Sequence, residues 1–346
     1  MDLDLTADQE TLRGVFADFF ASEAGPDRAR AAEPSGVDSH AWERLLETGA
    51  PGMGLPESLG GGGSSLADLA VVAEELGATI APLPLIEHAV SARLLASIGA
   101  CPDPVVAGTE IATLALHPAQ AGTSRLVPAG AVARHVVALD GGRLVLASGD
   151  APGTALGNHG CLPLAHRQLD GAAVLLEGPE AHAAHARALD EWRTLTATAL
   201  VGIARTALDL GVAYAKERQQ FGQPIGAFQA VQHLLADLPG LVDGARLLAA
   251  KAAWAGDTDP SGADGIVDLN NNDITDFATL AGMSLVVAGE AATTATDHSL
   301  HVHGGYGFAE EYDIQLFYRR ARAWSLVLDD PARECRRIAD LLLGAA

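Results

Sequence analysis

Basic residues are scarce in this chain. Twenty-two Lys and Arg face 44 Asp and Glu in 346 residues, a formal net charge of −22. Neutralising a polyanion takes clustered cations, so this deficit excludes non-specific nucleic-acid binding and leaves room for one small anion held by a few placed arginines. Cysteine is scarcer still. Cys101, Cys161 and Cys335 lie far apart with no CxxC pair, which excludes a disulfide framework and a thiolate zinc site and suits a reducing compartment. The N-terminus MDLDLTADQE carries acids where a secretory leader has bases ahead of an apolar stretch, and no uninterrupted apolar run reaches the roughly 18 residues of a membrane span. These absences predict a cytoplasmic chain with neither membrane nor nucleic acid as a partner. With 49% hydrophobic and 19% charged residues, a packed globular protein of two or three core-forming units is expected.

What is present divides the chain in three. Thr6 and Gln9 make a capping box ahead of Leu12, Val15, Phe16, Phe19 and Phe20, spaced for one helical face. The segments SHAWERLLETGA and SLADLAVVAEELGATIAPLPLIEHAVSARLLASIGA continue that pattern with Ser starts and Gly stops. From about residue 103 the texture changes to short Val- and Leu-rich runs, and VVALDGGRLVLA reads as a β-hairpin. Helices return from about residue 189. One face of the next long run carries Val231, Leu234, Leu235, Leu238, Leu241, Val242 and Ala245, with a kink expected at Pro239-Gly240. The last helical block is read over roughly 273 to 302 and 311 to 343, around HVHGGYGF. The predicted fold is mainly α with a small central β domain: an N-terminal helical domain over 1–102, a β domain over 103–188 and a C-terminal helical domain over 189–346.

Several local motifs fail on spacing. Four glycines at 60–63 lack the GxxxxGK[ST] that a P-loop needs. His182 and His185 have no Glu or Cys partner at zinc-site spacing. Asp268, Asn270 and Asn272 resemble the start of a calcium loop, but Asp273 stands where Gly is needed and Thr279 where Glu is needed. Ser64, Ser65 and Ser124 lie in no G-x-S-x-G elbow, so a hydrolase is unsupported.

Three stretches, in order along nearly the whole chain, carry a resemblance. ERQQFGQPIGAFQAVQHLLADL (217–238) resembles the helix-turn-helix signature of acyl-CoA dehydrogenases, HVHGGYGFAEEYDIQLFYRRARAW (301–324) resembles their C-terminal signature, and LPESLGGGGSSLADLAVVAEELG resembles their N-terminal pattern. The resemblance implies FAD bound across a subunit interface. In its terms Arg218, followed by Gln220 and Phe221 and with Gln229 on the next helix, meets the pyrophosphate from a neighbouring subunit. His301, Gly304 and Gly305 receive the other part of the dinucleotide. Guanidinium matches phosphate oxygens bidentately and glycines admit close backbone approach, so the chemistry is consistent. Taken without the family, Arg218 is just as well a cation at a helix C-terminus.

The family's catalytic base is a glutamate that removes the α-proton of an acyl thioester, and it occupies one of two positions. By resemblance the first falls on Leu328, with Asp329 next to it, and the second on Trp192, with Glu191 one residue earlier. One residue along a helix turns a side chain by about 100°, so Glu191 is expected to point away from the flavin. Asp329 and Glu191 remain the candidate bases, each reading more readily as a solvated acid. The family's Gln before the Gly-Gly loop is His301 here, its acid in the β domain is His117, and its Trp-x-Ser strand is missing. Degraded catalytic positions beside kept interface motifs resemble the short β subunit of actinobacterial, steroid-type α2β2 enzymes. The expected function is α,β-dehydrogenation of an acyl-CoA, by a chain that completes the FAD site of a paralogous catalytic partner or assembles with itself. A non-catalytic structural partner and a flavin oxidase or monooxygenase on the same fold are the alternatives.

Overall fold

The computed structural model describes residues 3–258, 265–268 and 273–344. The N-terminal part holds α1 (Ala7–Glu23), α2 (Pro26–Ala31), α3 (Ser39–Leu46), α4 (Leu66–Ala78), α5 (Leu85–Ser97) and the short α6 (Asp103–Val106). The capping box is formed: Gln9 N–H donates to Thr6 Oγ1 at 3.2 Å and Thr6 N–H to Gln9 Oε1 at 3.1 Å. Phe16 and Phe20 are buried as the spacing predicts, but Val15 is 55% exposed, because the buried stripe of α1 is narrower than its apolar one. The run read as continuous helix from Ser65 breaks at Thr79–Pro84, where Ile80 takes φ +48° and two prolines withhold the N–H groups a helix needs.

The β part comprises β1 (Ala112–Leu114), β2 (Thr123–Val127), β3 (His135–Asp140), β4 (Arg143–Ser148), β5 (Ala165–Gln168) and β6 (Ala173–Glu177). β1, β3, β4 and β6 form a sheet in that spatial order, parallel only between β1 and β3, while β2 and β5 pair separately. The predicted hairpin is β3–β4. Asp140 pairs with Arg143, and Gly141 and Gly142 take φ +55° and +81°, the turn geometry that matches strand twist.

Helix α7 (Gly178–Glu217) starts directly after β6, eleven residues before the apolar pattern signals it, with Pro179 in its first turn. It is followed by β7 (Gln219–Gln220), β8 (Gln223–Pro224), α8 (Gln229–Ala236), α9 (Leu238–Thr258), the small strands β9 (Val267–Asp268) and β10 (Asp273–Ile274), α10 (Phe277–His303), α11 (Ile314–Trp324) and α12 (Pro331–Leu343). Pro239 does not kink a continuous helix; the chain stops at Asp237 and restarts, so Pro239 falls in the first turn of α9, where its missing N–H costs nothing. The block read as one helix over 311–343 is likewise two, α11 and α12, divided at Ser325–Asp330.

α7 and α10 form the centre of the C-terminal bundle, and both α7 and Phe277–Phe308 are long and apolar enough to cross a membrane by length and composition. Most of each lies inside the protein, against α4, α9 and α11, which is how core helices of a globular bundle also read. The helices approach closely: a Cβ at Gly77 of α4 would strike the Ala199 carbonyl oxygen of α7, and one at Gly202 the Glu74 carbonyl oxygen. Asn270 and Asn272 of the calcium-like stretch lie outside the described residues. Its neighbour Thr279 is buried on α10, its N–H donating at 2.8 Å to Asp276, the helix N-cap. His185 Nε2 bonds the Ala115 carbonyl at 2.9 Å and His182 Nδ1 the Gly178 carbonyl at 2.9 Å, both ordinary structural contacts. Among the described residues no group of three metal-ligating side chains occurs.

Candidate functional site: an exposed arginine–glycine edge and a narrow chamber

The end of α7 makes the first half of the edge. Arg218 caps the helix, its N–H donating to the Tyr214 carbonyl at 2.9 Å, and a tight hairpin follows in which Gln220 pairs with Gln223. The two turn residues, Phe221 and Gly222, take φ +54° and +81°. For Phe this left-handed geometry costs about 1–3 kcal/mol, and the ring is 92% exposed, touching only Phe228 edge-on at 6.0 Å. A strained aromatic held in the open is a conformation kept for contact with something else.

The second half comes from the end of α10. The helix stops at Gly304, φ +63°, and Gly304–Phe308 forms a 3₁₀ turn in which a Cβ on Gly304 or Gly305 would touch nothing. Aromatic rings hold the two halves together. Tyr214 stacks on His303 at 4.1 Å, both meet Tyr312 edge-on, and Tyr306 brings its face 5.4 Å from the Arg218 guanidinium carbon. Burial pushes the His303 pKa down, so the ring is neutral, and Nδ1 bonds the Ser299 carbonyl at 2.7 Å. Arg218 itself forms no ion pair among the described residues, so its guanidinium is free for an anion.

The structure therefore gathers Arg218, Gln220 and Phe221 on one hairpin, and sets Gly304 and Gly305 beside it. His301 is exposed in the last turn of α10, and Gln229 is exposed as the first residue of α8, beyond the hairpin. Tyr214, Tyr306 and Tyr312 were missed from the sequence. Their signal was a tyrosine one turn before Arg218 and two flanking the Gly-Gly loop.

The second feature is a chamber where the three parts of the chain meet. α5 contributes Glu87, the β part Pro128, Leu162 and Leu164, α7 Trp192, and α11 Arg320. Its free volume is about 30 Å³, room for about two waters. Trp192, at one expected base position, is buried in its wall. Glu191 is turned away as the helix angle requires, but it is not a solvated acid: it is buried and grips Arg93 through two bonds of 2.8 and 3.2 Å. Leu328, at the other position, is buried facing a groove against α10 rather than the chamber. Asp329 lies on the loop after α11. It accepts from Asp330 N–H at 2.8 Å and from Arg333 at 3.0 Å, and those bonds hold its pKa below the usual carboxylate range, which suits a loop anchor rather than a base.

Among the described residues Glu87 is the one carboxylate lining the chamber, and no motif marks it in the sequence. Its signal is an acid inside the apolar run Leu83–Val90. Burial pushes its pKa up to about 7, against the opposing pull of its own backbone N–H and the Trp192 indole. The next residue, His88, is driven down to about 4 by burial, and its Nδ1 accepts the Ala112 N–H at 3.2 Å.

An exposed edge with an unpaired arginine and an open glycine turn, on a helical–β–helical frame, is the arrangement the sequence motifs lead one to expect. The comparisons agree. The acyl-CoA dehydrogenase N-terminal domain matches residues 6–100 and the C-terminal domain residues 182–327. The chain is 32% identical to acyl-CoA dehydrogenase IpdE2 of Mycolicibacterium smegmatis over 96% of this chain and 98% of that one. Among solved structures it is similar to the ChsE4–ChsE5 complex of Mycobacterium tuberculosis (25% identity, TM-score 0.84, all of both chains). It is also similar to a variant of the Tcur3481–Tcur3483 steroid ACAD (28% identity, TM-score 0.82, 97% of this chain and 98% of that one). The chain belongs to the acyl-CoA dehydrogenase family, whose members are FAD-dependent oxidoreductases. The residues present fit that cofactor at one edge: the unpaired Arg218 and the open Gly304–Gly305 turn suit its phosphates.

Proposed function

We propose that this chain is the accessory subunit of a two-component acyl-CoA dehydrogenase acting on a steroid-derived acyl-CoA, lending its Arg218 edge to an FAD seated mainly in a catalytic paralogue. One observation carries the reading. The Arg218 hairpin and the Gly304–Gly305 turn are exposed, while both base positions are filled by apolar side chains: Trp192 in the wall of the narrow chamber and Leu328 in a separate groove against α10. The two-component ChsE4–ChsE5 and Tcur3481–Tcur3483 structures support the same assignment.

In this arrangement Arg218 offers the cofactor's pyrophosphate a planar two-pronged donor, worth more than a point charge of the same sign. Gly304 and Gly305 let the backbone approach the dinucleotide without a side chain between, and Phe221 and Phe308, both exposed, exclude water from the junction once a partner covers them. When bound, FAD accepts the hydride that leaves the acyl β-carbon as the α-proton is removed. The group that takes that proton belongs to the partner, because Asp329 and Glu191 are both committed to arginines elsewhere. Co-expression with a Glu-bearing paralogue tests the reading: a stable two-component complex holding FAD is expected, and a fully active assembly of this chain alone would overturn it.

A further inference from the structure

The narrow chamber contains two hydrogen-bond donors whose bonding is incomplete. Arg320 is only 6% exposed, yet among the described residues its guanidinium makes no hydrogen bond and no ion pair. Trp192 is 2% exposed, and its buried indole Nε1–H is directed toward the Glu87 carboxyl without reaching good hydrogen-bond geometry. The nearest opposing charges are the Glu87 and Glu33 carboxylates, neither within ion-pair distance, and a guanidinium this far from water is costly to leave without direct bonds. Burial has pulled the Arg320 pKa down to about 10, which still leaves it charged at neutral pH. The missing element is a compact anionic acceptor.

Glu87 lines the same space and supplies a third polar group. With burial favouring its protonated form, it can donate an O–H instead of competing for the arginine. The remaining walls are apolar, among them Leu76, Leu83 and Pro128. Two water-sized positions match the two oxygens of one carboxylate, and a single negative charge balances a single guanidinium. A tetrahedral phosphate or sulfate brings more oxygens and more charge than these walls can satisfy.

We propose that the chamber is a binding subsite for one carboxylate group, gripped by the Arg320 fork and capped by Trp192 Nε1–H and the Glu87 carboxyl. Leu162, Leu164 and Val327 form a wall shared with an outer groove of about 490 Å³, whose rim holds His159, Arg319 and Arg322. Two sources of the same chemistry can therefore reach it: a free small carboxylate, or the carboxylate end of an acyl chain lying in the outer groove. The subsite depends neither on a partner subunit nor on flavin, so it stands or falls separately from the accessory-subunit reading.

The test uses the full chain, in the assembly in which it purifies, labelled with 5-fluorotryptophan. The four tryptophans give four ¹⁹F signals, and Trp192→Phe assigns the one that matters. Formate, acetate and the mono-CoA thioester of a dicarboxylic acid are titrated in turn. The expected result is a saturable shift of the Trp192 signal with at least one of them and a rise of several degrees in melting temperature. Both effects should be lost in Arg320→Met, whose ligand-free melting temperature should exceed that of the parent. Arg320→Lys, which keeps the charge but not the fork, should bind at least tenfold more weakly and serves if the Met variant does not fold. Saturation by formate or acetate identifies a free carboxylate as the source. Response to the thioester alone, abolished by Leu162→Trp, identifies the acyl terminus. No saturable shift with any of the three, or equal affinity in Arg320→Lys, overturns the proposal and leaves ordered water as the occupant.

Discussion

Arg218 and Arg320 show how differently one side chain behaves in two settings. Arg218 is exposed and unpaired, so its guanidinium is hydrated and costs the fold nothing. Replacing it with Ala should leave thermal stability within about 0.5 kcal/mol, as is usual for surface positions, while weakening FAD retention in the assembled enzyme by about 10- to 100-fold, the loss of one charge-assisted bidentate contact. Ultrafiltration followed by flavin absorbance reads the second effect, and a melting curve the first. Glu87 makes a prediction of a different kind. Its folded-state pKa of about 7 lies above the ordinary 4.5, so the native state holds the extra proton between those values, and its contribution to stability falls as pH rises through that window. Glu87→Gln should remove that decline and be more stable than the parent at pH 8 by about 1–3 kcal/mol, with the gap closing near pH 4.5. His88 runs the other way. Its depressed pKa contributes stability that is present above about 6.5 and lost as pH falls through about 4. Urea unfolding of parent and variant at pH 5, 6.5 and 8 isolates Glu87, since His88 is common to both.

At the scale of elements, much was legible before any coordinates. The capping box of α1, the β3–β4 hairpin and the alternation of helical and β texture all rest on local rules, and the structure contains each of them. Local rules failed where tertiary packing overrode them. The apolar pattern could not show that α7 starts at Gly178, because its first turns are covered by the β sheet rather than by a helical neighbour. It could not separate α11 from α12, since the divide at Ser325–Asp330 is an irregular loop whose Leu328 packs into the main core as a helical residue would. The site divides in the same way. Family motifs located the hairpin and the glycine turn, but the stacking of Tyr214 on His303 that joins them links residues 89 positions apart and leaves no local trace. Glu87 was missed for the same reason, since an acid in an apolar helix becomes informative only when Trp192 and Arg320 are seen across from it. The crossing of α4 and α7 supplies a prediction at this scale. Gly77 and Gly202 let the two backbones touch, so Gly202→Ala should push the helices apart and destabilise the protein by at least about 2 kcal/mol, measured as a lower urea midpoint.

At the scale of the whole molecule, an acidic chain exposes one strained aromatic hairpin and one glycine turn side by side, and keeps only a narrow chamber beside Trp192. Exposed features ask for a covering surface, and under the proposed reading the narrow chamber leaves the chemistry to a partner. Together they make the accessory-subunit account a statement about two proteins rather than one. The most direct test is an anaerobic visible spectrum recorded before and after adding steroid-derived acyl-CoA thioesters, first on this chain expressed alone and then on its complex with a Glu-bearing paralogue. The account predicts no flavin bleaching from the chain alone, and full bleaching from the complex that, in Arg218→Ala, returns only at about 10- to 100-fold higher added FAD. Flavin bound by the chain alone and bleached by acyl-CoA would contradict it.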